Sequence, residues 1–197
     1  MTRLILVRHG ETEWNAKQQF QGHADPGLNE LGRRQAQDLA ESLALMQIDA
    51  IYSSDLKRAR ETAETIGERV GLRVHEMSEL REVDVGEWTG LTHEEIEELY
   101  PGALHRWRSG TGDGWELGES YERLTARLLR AFRVIADRHP NDRVLIVGHG
   151  GTIRAMLAHV SGVSVAESRK QTPPIGNCEI YLLTVNDGTV GGDGLGA

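Results

Sequence analysis

The sequence Leu4-Ile5-Leu6-Val7-Arg8-His9-Gly10-Glu11-Thr12 recurs in outline as Val144-Leu145-Ile146-Val147-Gly148-His149-Gly150-Gly151-Thr152. Each copy has four apolar residues, then any residue, His-Gly, any residue and Thr. Four apolar residues that end at a glycine turn are typical of a central strand covered on both faces. Ligands of such sheets bind beyond the carboxyl ends of the strands. If the two strands are parallel neighbours, His9 and His149 meet over one pocket.

Outward from these strands, helix and strand patterns alternate along the chain. The patterns predict strands at residues 3–7, 48–53, 72–77, 143–147 and 178–185, and helices at 29–46, 55–70, 120–139 and 152–160. Asn29, Asp55 and Ser120 are the predicted caps of three of these helices. This alternation predicts an α/β fold, a three-layer αβα sandwich with a mostly parallel central sheet. Residues 78–119 hold tryptophans, glycines and a capping pattern at Thr92 and Glu95, and are interpreted as a helical and loop lid.

Length, charge and cysteine content narrow the class of protein. A chain of 197 residues suits one domain, so residues 1–190 are predicted to form a single domain and residues 191–197 a disordered, glycine-rich tail. The net charge of −8 argues against a nucleic-acid or membrane partner. Cys178, the only cysteine, is interpreted as a small apolar residue of the last strand and fits a reducing compartment. Because no stretch approaches the roughly 20 apolar residues of a membrane span, a cytoplasmic location is predicted.

Basic residues are expected to surround the two histidines. Arg8 directly precedes His9, and Arg58 lies near the same rim, early in the helix that follows strand 48–53. A cation in a first helical turn opposes the helix dipole by ~0.3–1 kcal/mol, an objection that a bound anion reverses. Such a cluster suits a phosphoryl group, with added backbone N–H groups from residues 150–152 at a helix start.

The other two cations of that helix, Lys57 and Arg60, are interpreted differently. Glu61 and Glu64 follow them at the spacing of one helical turn. Ion pairs at this spacing form on a solvent-facing helix surface. We therefore predict that Lys57 and Arg60 form ion pairs on the helix surface and do not belong to the phosphoryl site.

Phosphoryl transfer also needs a proton donor for the leaving oxygen. Glu82 is the best-placed acid, because it follows the third strand region in a turn rich in apolar residues and glycines. The residues alone do not separate it from Asp84 or Glu87. Pairing of Glu82 with Arg81 or with a lid arginine is also open.

The segment Leu6-Val7-Arg8-His9-Gly10-Glu11-Thr12-Glu13-Trp14-Asn15 strongly resembles the signature of the histidine phosphatase superfamily, also called the phosphoglycerate mutase-like family. Similar motifs follow in order over roughly residues 3–185. They are Gln21-Gly22 with Asp25, Leu28-Asn29-Glu30-Leu31-Gly32, Ser53-Ser54-Asp55-Leu56-Lys57-Arg58-Ala59 with Thr62, Leu80-Arg81-Glu82 with Gly86-Glu87-Trp88-Thr89-Gly90, Gly118-Glu119-Ser120, and Val147-Gly148-His149-Gly150-Gly151.

The resemblance implies a role for each matching position. His9 would be the nucleophile, phosphorylated during turnover, and Glu82 would act first as acid and then as base. The residues that would hold the phosphoryl group are Arg8, Asn15, Gln21, Gly22, Arg58, His149 and the backbone of Gly150. No metal and no cofactor would be needed, because the arginines and a protonated His149 supply the positive charge.

Within this family the acid motif Leu-Arg-Glu with Gly-Glu-Trp-Thr-Gly, together with the chain length, resembles the phosphatase branch. We therefore expect a metal-independent phosphomonoesterase whose partner is a small phosphorylated metabolite. The alternative is a cofactor-dependent phosphoglycerate mutase, and a non-catalytic phosphate-binding module is less favoured. Arg106 and Arg108 of the lid keep a carboxylated substrate such as a phosphoglycerate open. A homodimer is the assembly that the resemblance implies.

The remaining histidines are predicted to lie on loops or element surfaces, without matching partners. They are His23, His75, His93, His105, His139 and His159. His23 stands nearest the motif at residues 21–22 and is a candidate for the substrate rim. The lid tryptophans are predicted to form a small core, with Trp88 and Trp107 as candidates to face the pocket mouth.

Overall fold

A computed structural model describes residues 1–112 and 115–192 of the chain. Its strands are β1 (Thr2–Arg8), β2 (Ala50–Ser53), β3 (Val74–Glu76), β4 (Arg143–Gly148), β5 (Ile180–Asn186) and β6 (Thr189–Gly192). Its α-helices are α1 (Glu13–Ala16), α2 (Glu30–Leu43), α3 (Lys57–Val70), α4 (His93–Leu99), α5 (Ala103–Ser109), α6 (Tyr121–Arg138), α7 (Gly150–Ser161) and α8 (Val165–Gln171). Single 3-10 turns occur at Ser78–Leu80 and Gly86–Trp88. No helix among these residues is long and apolar enough to cross a bilayer.

The strands form one six-stranded sheet in the order β3-β2-β4-β1-β5-β6. The first four strands of that order are parallel, whereas β5 and β6 are antiparallel additions at one edge. This confirms the predicted α/β fold with a mostly parallel sheet. In the register of the β1–β4 pair Arg8 lies opposite Gly148, so His9 and His149 leave the sheet side by side.

Side chains that alternate along β1 enter two separate cores. Ile5 packs with Ile66 of α3 and with apolar residues of α2 on one face of the sheet. Leu6 packs with Leu128 of α6 and with apolar residues of α7 on the other face. Because successive strand side chains point to opposite faces, a continuous apolar run requires a cover on both. The predicted three layers follow from this.

The start of α3 corrects the predicted cap. Asp55 does not cap the helix, and the N-cap Leu56 has no side-chain hydrogen bond. The Asp55 carboxylate instead forms a bidentate ion pair with Arg81, at 2.6 and 2.7 Å. Asp25 supplies the cap from the loop before α2, since its Oδ1 accepts the Lys57 N–H at 2.5 Å. Asn29 and Ser120 do cap α2 and α6 as predicted.

The chain after α7 differs most from the prediction. Helix α8 and strand β6 are additional elements. Strand β5 begins only at Ile180, two residues after Cys178, which has a left-handed φ of 58°. Gly191 and Gly192 pair with β5, so the disordered tail predicted from residue 191 is wrong for these two residues. An Asp187-Gly188 turn closes the hairpin, and Asp-Gly is a strong hairpin pattern. Residues 193–197 lie outside the described part of the chain.

Candidate active site

The two histidines of the repeated pattern meet at the carboxyl ends of β1 and β4. Their ring centroids are 5.2 Å apart and their planes meet at 62°. Both are buried, with exposed fractions of 2% for His9 and 0% for His149. The His9 N–H donates to the Gly148 carbonyl at 3.0 Å, so the β1–β4 pairing extends into the site.

One hydrogen bond sets the tautomer of the neutral His9 ring. Its Nδ1 lies 2.7 Å from the Gly10 carbonyl oxygen. A carbonyl only accepts, so Nδ1 carries the proton and Nε2 keeps its lone pair. Burial, and then the charges of Arg58 and Arg8, holds the pKa of His9 well below its ordinary value. His9 is therefore a neutral imidazole with Nε2 as its nucleophilic atom.

His149 has the same neutral state for similar reasons. Burial, followed by the charges of Arg58 and Arg8, holds its pKa well below the ordinary value. The expectation of a protonated His149 refers to the site with a phosphoryl group bound, so it stays a prediction. Both ring nitrogens are buried and, within the described chain, neither has a hydrogen-bond partner. A buried donor without a partner is costly, so the His149 ring is suited to donate a hydrogen bond to a polar ligand.

Arg8 and Arg58 provide the positive charge. Arg58 is 1% exposed, and it donates to the carbonyls of Gly22 and Ala24 at 2.9 and 2.7 Å. Arg8 donates to the Ile175 carbonyl at 2.6 Å. Within residues 1–112 and 115–192 the two buried Nε atoms have no partner. Burial lowers the pKa of Arg58 to about 10, so the group stays charged at neutral pH.

Lys57 and Arg60 lie outside this cluster. Lys57 Nζ is 3.8 Å from Glu61 Oε1, and Arg60 Nε is 3.9 Å from Glu64 Oε1. The predicted ion pairs along α3 are confirmed. Of the three basic residues at the start of α3, only Arg58 turns inward, because it lies on the face that packs against the sheet.

The loop after β1 places the remaining predicted contacts. Asn15 lines the pocket, and its Oδ1 accepts hydrogen bonds from the Thr12 N–H and hydroxyl. The NH2 group of the Asn15 side chain can therefore donate to a ligand. Gln21 and Gly22 also line the pocket, and the buried Gln21 Oε1 has no partner among the described residues. Gly22 has a φ of 47°, a conformation that favours glycine.

Glu82 is the acid that lines the pocket together with His9. One of its oxygens accepts the Val83 N–H at 2.8 Å, and the other accepts the Gly151 N–H in the first turn of α7 at 2.9 Å. Arg81 pairs with Asp55, so the alternative in which it pairs with Glu82 does not occur.

The two competing acids have other partners. Asp84 Oδ1 accepts the Gly86 N–H at 3.0 Å, and Glu87 Oε1 accepts the Glu116 N–H. Of the three carboxylates, only Glu82 lines the pocket. Gly151 explains the close fit, because a Cβ on this residue would collide with Glu82 Oε1. Gly150 also lines the pocket beside Arg8, as predicted.

Apart from His149, which lies against His9, the predicted site residues line one pocket of about 750 Å³, whose wall also includes lid residues and Arg169 of α8. Trp107 and Arg108 belong to this wall, but Arg106 does not. Trp88 is fully buried, so it is a core residue. His93 also lines the pocket and packs against Phe20 at 5.3 Å, which corrects its predicted surface role.

Sequence reasoning missed two further arginines of the pocket. Arg154 and Arg169 line it from α7 and α8. Arg169 lies 4.1 Å from the centroid of the Trp107 ring and donates to the Trp107 carbonyl at 3.1 Å. Arg154 donates to backbone carbonyls at the end of α8. Their positions depend on a helix that was not predicted, although the Ser164–Glu167 capping box pointed to it.

His23 lies behind Glu82 rather than at the substrate rim. Its Nε2 is 2.9 Å from the Glu82 carbonyl oxygen, which it donates to. His139 also has partners, since its ring lies between the Tyr52 hydroxyl and the Asp142 carboxylate, at 3.1 Å from each. The predicted absence of partners is therefore wrong for both.

Comparison with known proteins gives the class of this chain. Residues 4–192 match the model of the histidine phosphatase superfamily, branch 1. Phosphoglycerate mutase-like protein 4 of Arabidopsis thaliana is 42% identical, over 94% of this chain and 80% of that protein. Metal-independent phosphoserine phosphatase of Arabidopsis thaliana is 40% identical, over 84% and 71%. A solved mycobacterial glucosyl-3-phosphoglycerate phosphatase, in complex with VO3, superposes with a TM-score of 0.83 at 37% identity, over 92% and 90%.

The chain therefore belongs to the histidine phosphatase superfamily. Its class is that of the phosphoric monoester hydrolases.

Proposed function

We propose that the chain is a metal-independent phosphomonoesterase that works through a phosphohistidine on His9, with Glu82 as acid and then base. The observation that carries the proposal is the Nδ1 contact of His9 with the Gly10 carbonyl at 2.7 Å. It makes Nε2 a nucleophile inside a pocket that also holds Arg8, Arg58 and Glu82. The partner is a small phosphorylated metabolite, and the single Cys178 supports a cytoplasmic location.

In the first step the Nε2 lone pair of His9 attacks phosphorus. The bond from phosphorus to the ester oxygen breaks, and its electron pair stays on that oxygen. Glu82, protonated at this stage, gives its proton to the departing oxygen. The Nδ1–H bond to Gly10 stabilises the positive charge that the ring acquires.

In the second step water replaces His9 on phosphorus. The Glu82 carboxylate takes one proton from the water as its oxygen bonds to phosphorus. The phosphorus–nitrogen bond breaks, and its electron pair returns to Nε2. Inorganic phosphate leaves, and both His9 and Glu82 regain their starting states.

The charge that develops on the phosphoryl oxygens is met by fixed groups. Arg8 and Arg58 are held by backbone carbonyls, and each has an unpaired Nε–H within the described chain. His149 adds a ring N–H, and the positive end of the α7 dipole lies at Gly150. Preorganised donors of this kind stabilise a transition state without reorganisation.

Net phosphate release tests hydrolysis against the mutase alternative. With a panel of phosphorylated metabolites, we expect inorganic phosphate to appear, at a rate that a metal chelator leaves unchanged. With 3-phosphoglycerate and a bisphosphoglycerate primer, we expect no rapid formation of 2-phosphoglycerate. Rapid isomerisation without net phosphate release would contradict the hydrolase and support the mutase.

Arg108 is expected to contact the part of the substrate beyond the phosphoryl group. It lines the outer wall of the pocket, where its charge suits an anionic substituent such as a carboxylate. Arg108→Ala should raise KM for a carboxylated phosphate ester by about 10-fold and leave kcat nearly unchanged, because a contact made equally in ground and transition states is lost. Arg106→Ala, on the same helix but outside the pocket lining, is the matched control. Equal KM values for Arg108→Ala and the parent enzyme would contradict this role.

A further inference from the structure

The carbonyl group of Glu82 is held from behind by Arg127 of α6. Arg127 Nη2 donates to the Glu82 carbonyl at 2.8 Å, and Nη1 donates to the Glu79 carbonyl at 2.7 Å. These two carbonyls bracket the turn that leads into the acid. His23 donates to the same Glu82 carbonyl from the other loop at 2.9 Å. The backbone of the acid is therefore fixed independently of its side chain.

Arg127 is itself oriented by Glu119. Its Nε and Nη2 atoms each donate to one oxygen of that carboxylate at 2.7 Å. Both side chains are only 14% exposed. Glu119 is held in turn by its own backbone, whose N–H donates to the Asp84 carbonyl at 2.8 Å. The motif Gly118-Glu119-Ser120, which the proposed mechanism leaves unused, thus ends in an ion pair beside the acid turn.

The bonds in front of the acid complete the arrangement. The Glu82 carboxylate accepts the N–H groups of Val83 and Gly151. These two bonds orient the side chain, but they fix the position of the carboxylate only if the Glu82 Cα is also fixed. The hydrogen bonds to the Glu82 carbonyl fix that Cα. A planar guanidinium makes all four bonds of Arg127 at once, and an ammonium group lacks that fork.

We propose that Arg127, oriented by Glu119, is a positioning residue that holds Glu82 within proton-transfer reach of the leaving oxygen. This inference rests on the proposed function of Glu82. Arg127 itself touches neither the substrate nor His9, and it acts through the backbone of the acid. Displacement by about 1 Å is enough to cost about 100-fold in rate.

The leaving group separates this role from a purely structural one. An alkoxide is strongly basic, so its departure needs the proton of Glu82, whereas 4-nitrophenolate departs without full protonation. The ratio kcat/KM covers substrate binding and the steps up to formation of the phosphohistidine. It therefore reports Glu82 acting as acid and not the later step in which Glu82 acts as base. A displaced Glu82 therefore lowers kcat/KM for alkyl phosphates much more than for aryl phosphates.

Arg127→Met tests the proposal in the full-length enzyme. We expect kcat/KM to fall about 100-fold for an alkyl phosphate and by less than about 5-fold for 4-nitrophenyl phosphate. The inhibition constant of inorganic phosphate should stay unchanged, because Arg8 and Arg58 are not disturbed. Arg130→Met is the matched control, since Arg130 is an exposed arginine of the same helix. It should leave both substrates unaffected.

Equal losses for both substrates, or no loss, would overturn the proposal. If Arg127→Met does not fold, Arg127→Lys and Glu119→Gln are subjected to the same two-substrate comparison. In each, kcat/KM should again fall more for the alkyl than for the aryl phosphate, but by less than in Arg127→Met. Glu82→Gln is the reference. If it shows no selectivity between the substrates, the proposed acid is wrong and the positioning role falls with it. If Glu82→Gln is selective and the Arg127 and Glu119 variants are not, only the positioning role is refuted.

Discussion

Replacement of His9 by alanine is expected to lower turnover by on the order of 10⁴- to 10⁶-fold, the range typical for loss of a covalent nucleophile. The substituted site keeps Arg8, Arg58 and His149, so it should still bind inorganic phosphate. Binding without turnover is the expected combination, since only the atom that attacks phosphorus is lost. His149 does not substitute for it, because no carbonyl fixes a lone pair on either of its nitrogens in the described chain.

Trapping of the intermediate measures this directly. Rapid quench with a ³²P-labelled substrate should give a labelled protein whose label is lost in acid and kept in base, as a phosphorus–nitrogen bond requires. The label should be absent from His9→Ala and present in His105→Ala, an exposed histidine of the lid. A labelled His9→Ala protein would refute His9 as the nucleophile.

The second large effect is expected for Glu82→Gln. General acid–base catalysis contributes typically about 10²- to 10⁴-fold, so we expect kcat for an alkyl phosphate to fall by that factor. The amide oxygen can still accept the Gly151 N–H, although the amide NH2 cannot accept the Val83 N–H, and the group neither gives nor takes a proton at working pH. With an aryl phosphate, formation of the phosphohistidine should survive and its hydrolysis should become slow.

For Glu82→Gln we therefore measure the accumulation of phosphorylated enzyme, by quench-flow with ³²P-labelled 4-nitrophenyl phosphate. Asp84→Asn is the control, because an asparagine Oδ1 can still accept the Gly86 N–H that Asp84 accepts at 3.0 Å. This variant should keep parental kinetics with both substrates. A large loss in Asp84→Asn together with parental activity in Glu82→Gln would exchange the roles of the two acids.

The electrostatic character of the pocket differs from that of the whole chain. The sequence carries a net charge of −8, yet the residues that line the pocket include five arginines and one carboxylate. The arginines are Arg8, Arg58, Arg108, Arg154 and Arg169. Like charges are costly to bury together, so such a cluster is stable only where carbonyl oxygens or anionic partners compensate it. The carbonyl contacts of Arg8 and Arg58 supply that compensation near the phosphoryl site.

The sequence by itself determined the four parallel strands of the sheet and the position of the two histidines at the ends of two of them. Short-range patterns were sufficient, because an apolar run, a glycine turn and a helix cap are each encoded within about ten residues. The repeated pattern at residues 4–12 and 144–152 predicted that His9 and His149 meet if the two strands are parallel neighbours. The strands are parallel neighbours, and the two rings lie 5.2 Å apart. The inward position of Arg58 and the outward ion pairs of Lys57 and Arg60 also followed from local spacing.

Only the tertiary structure decided which acid belongs to the site and how it is held. Glu82 is distinguished from Asp84 and Glu87 by the Gly151 N–H, which is 69 positions away in the sequence. Its carbonyl is held by Arg127, at a separation of 45 positions. The lowered pKa of His149 likewise results from burial among groups on other elements. Hydrogen bonds and desolvation act between neighbours in space, and the sequence pattern of a single element carries no record of those neighbours.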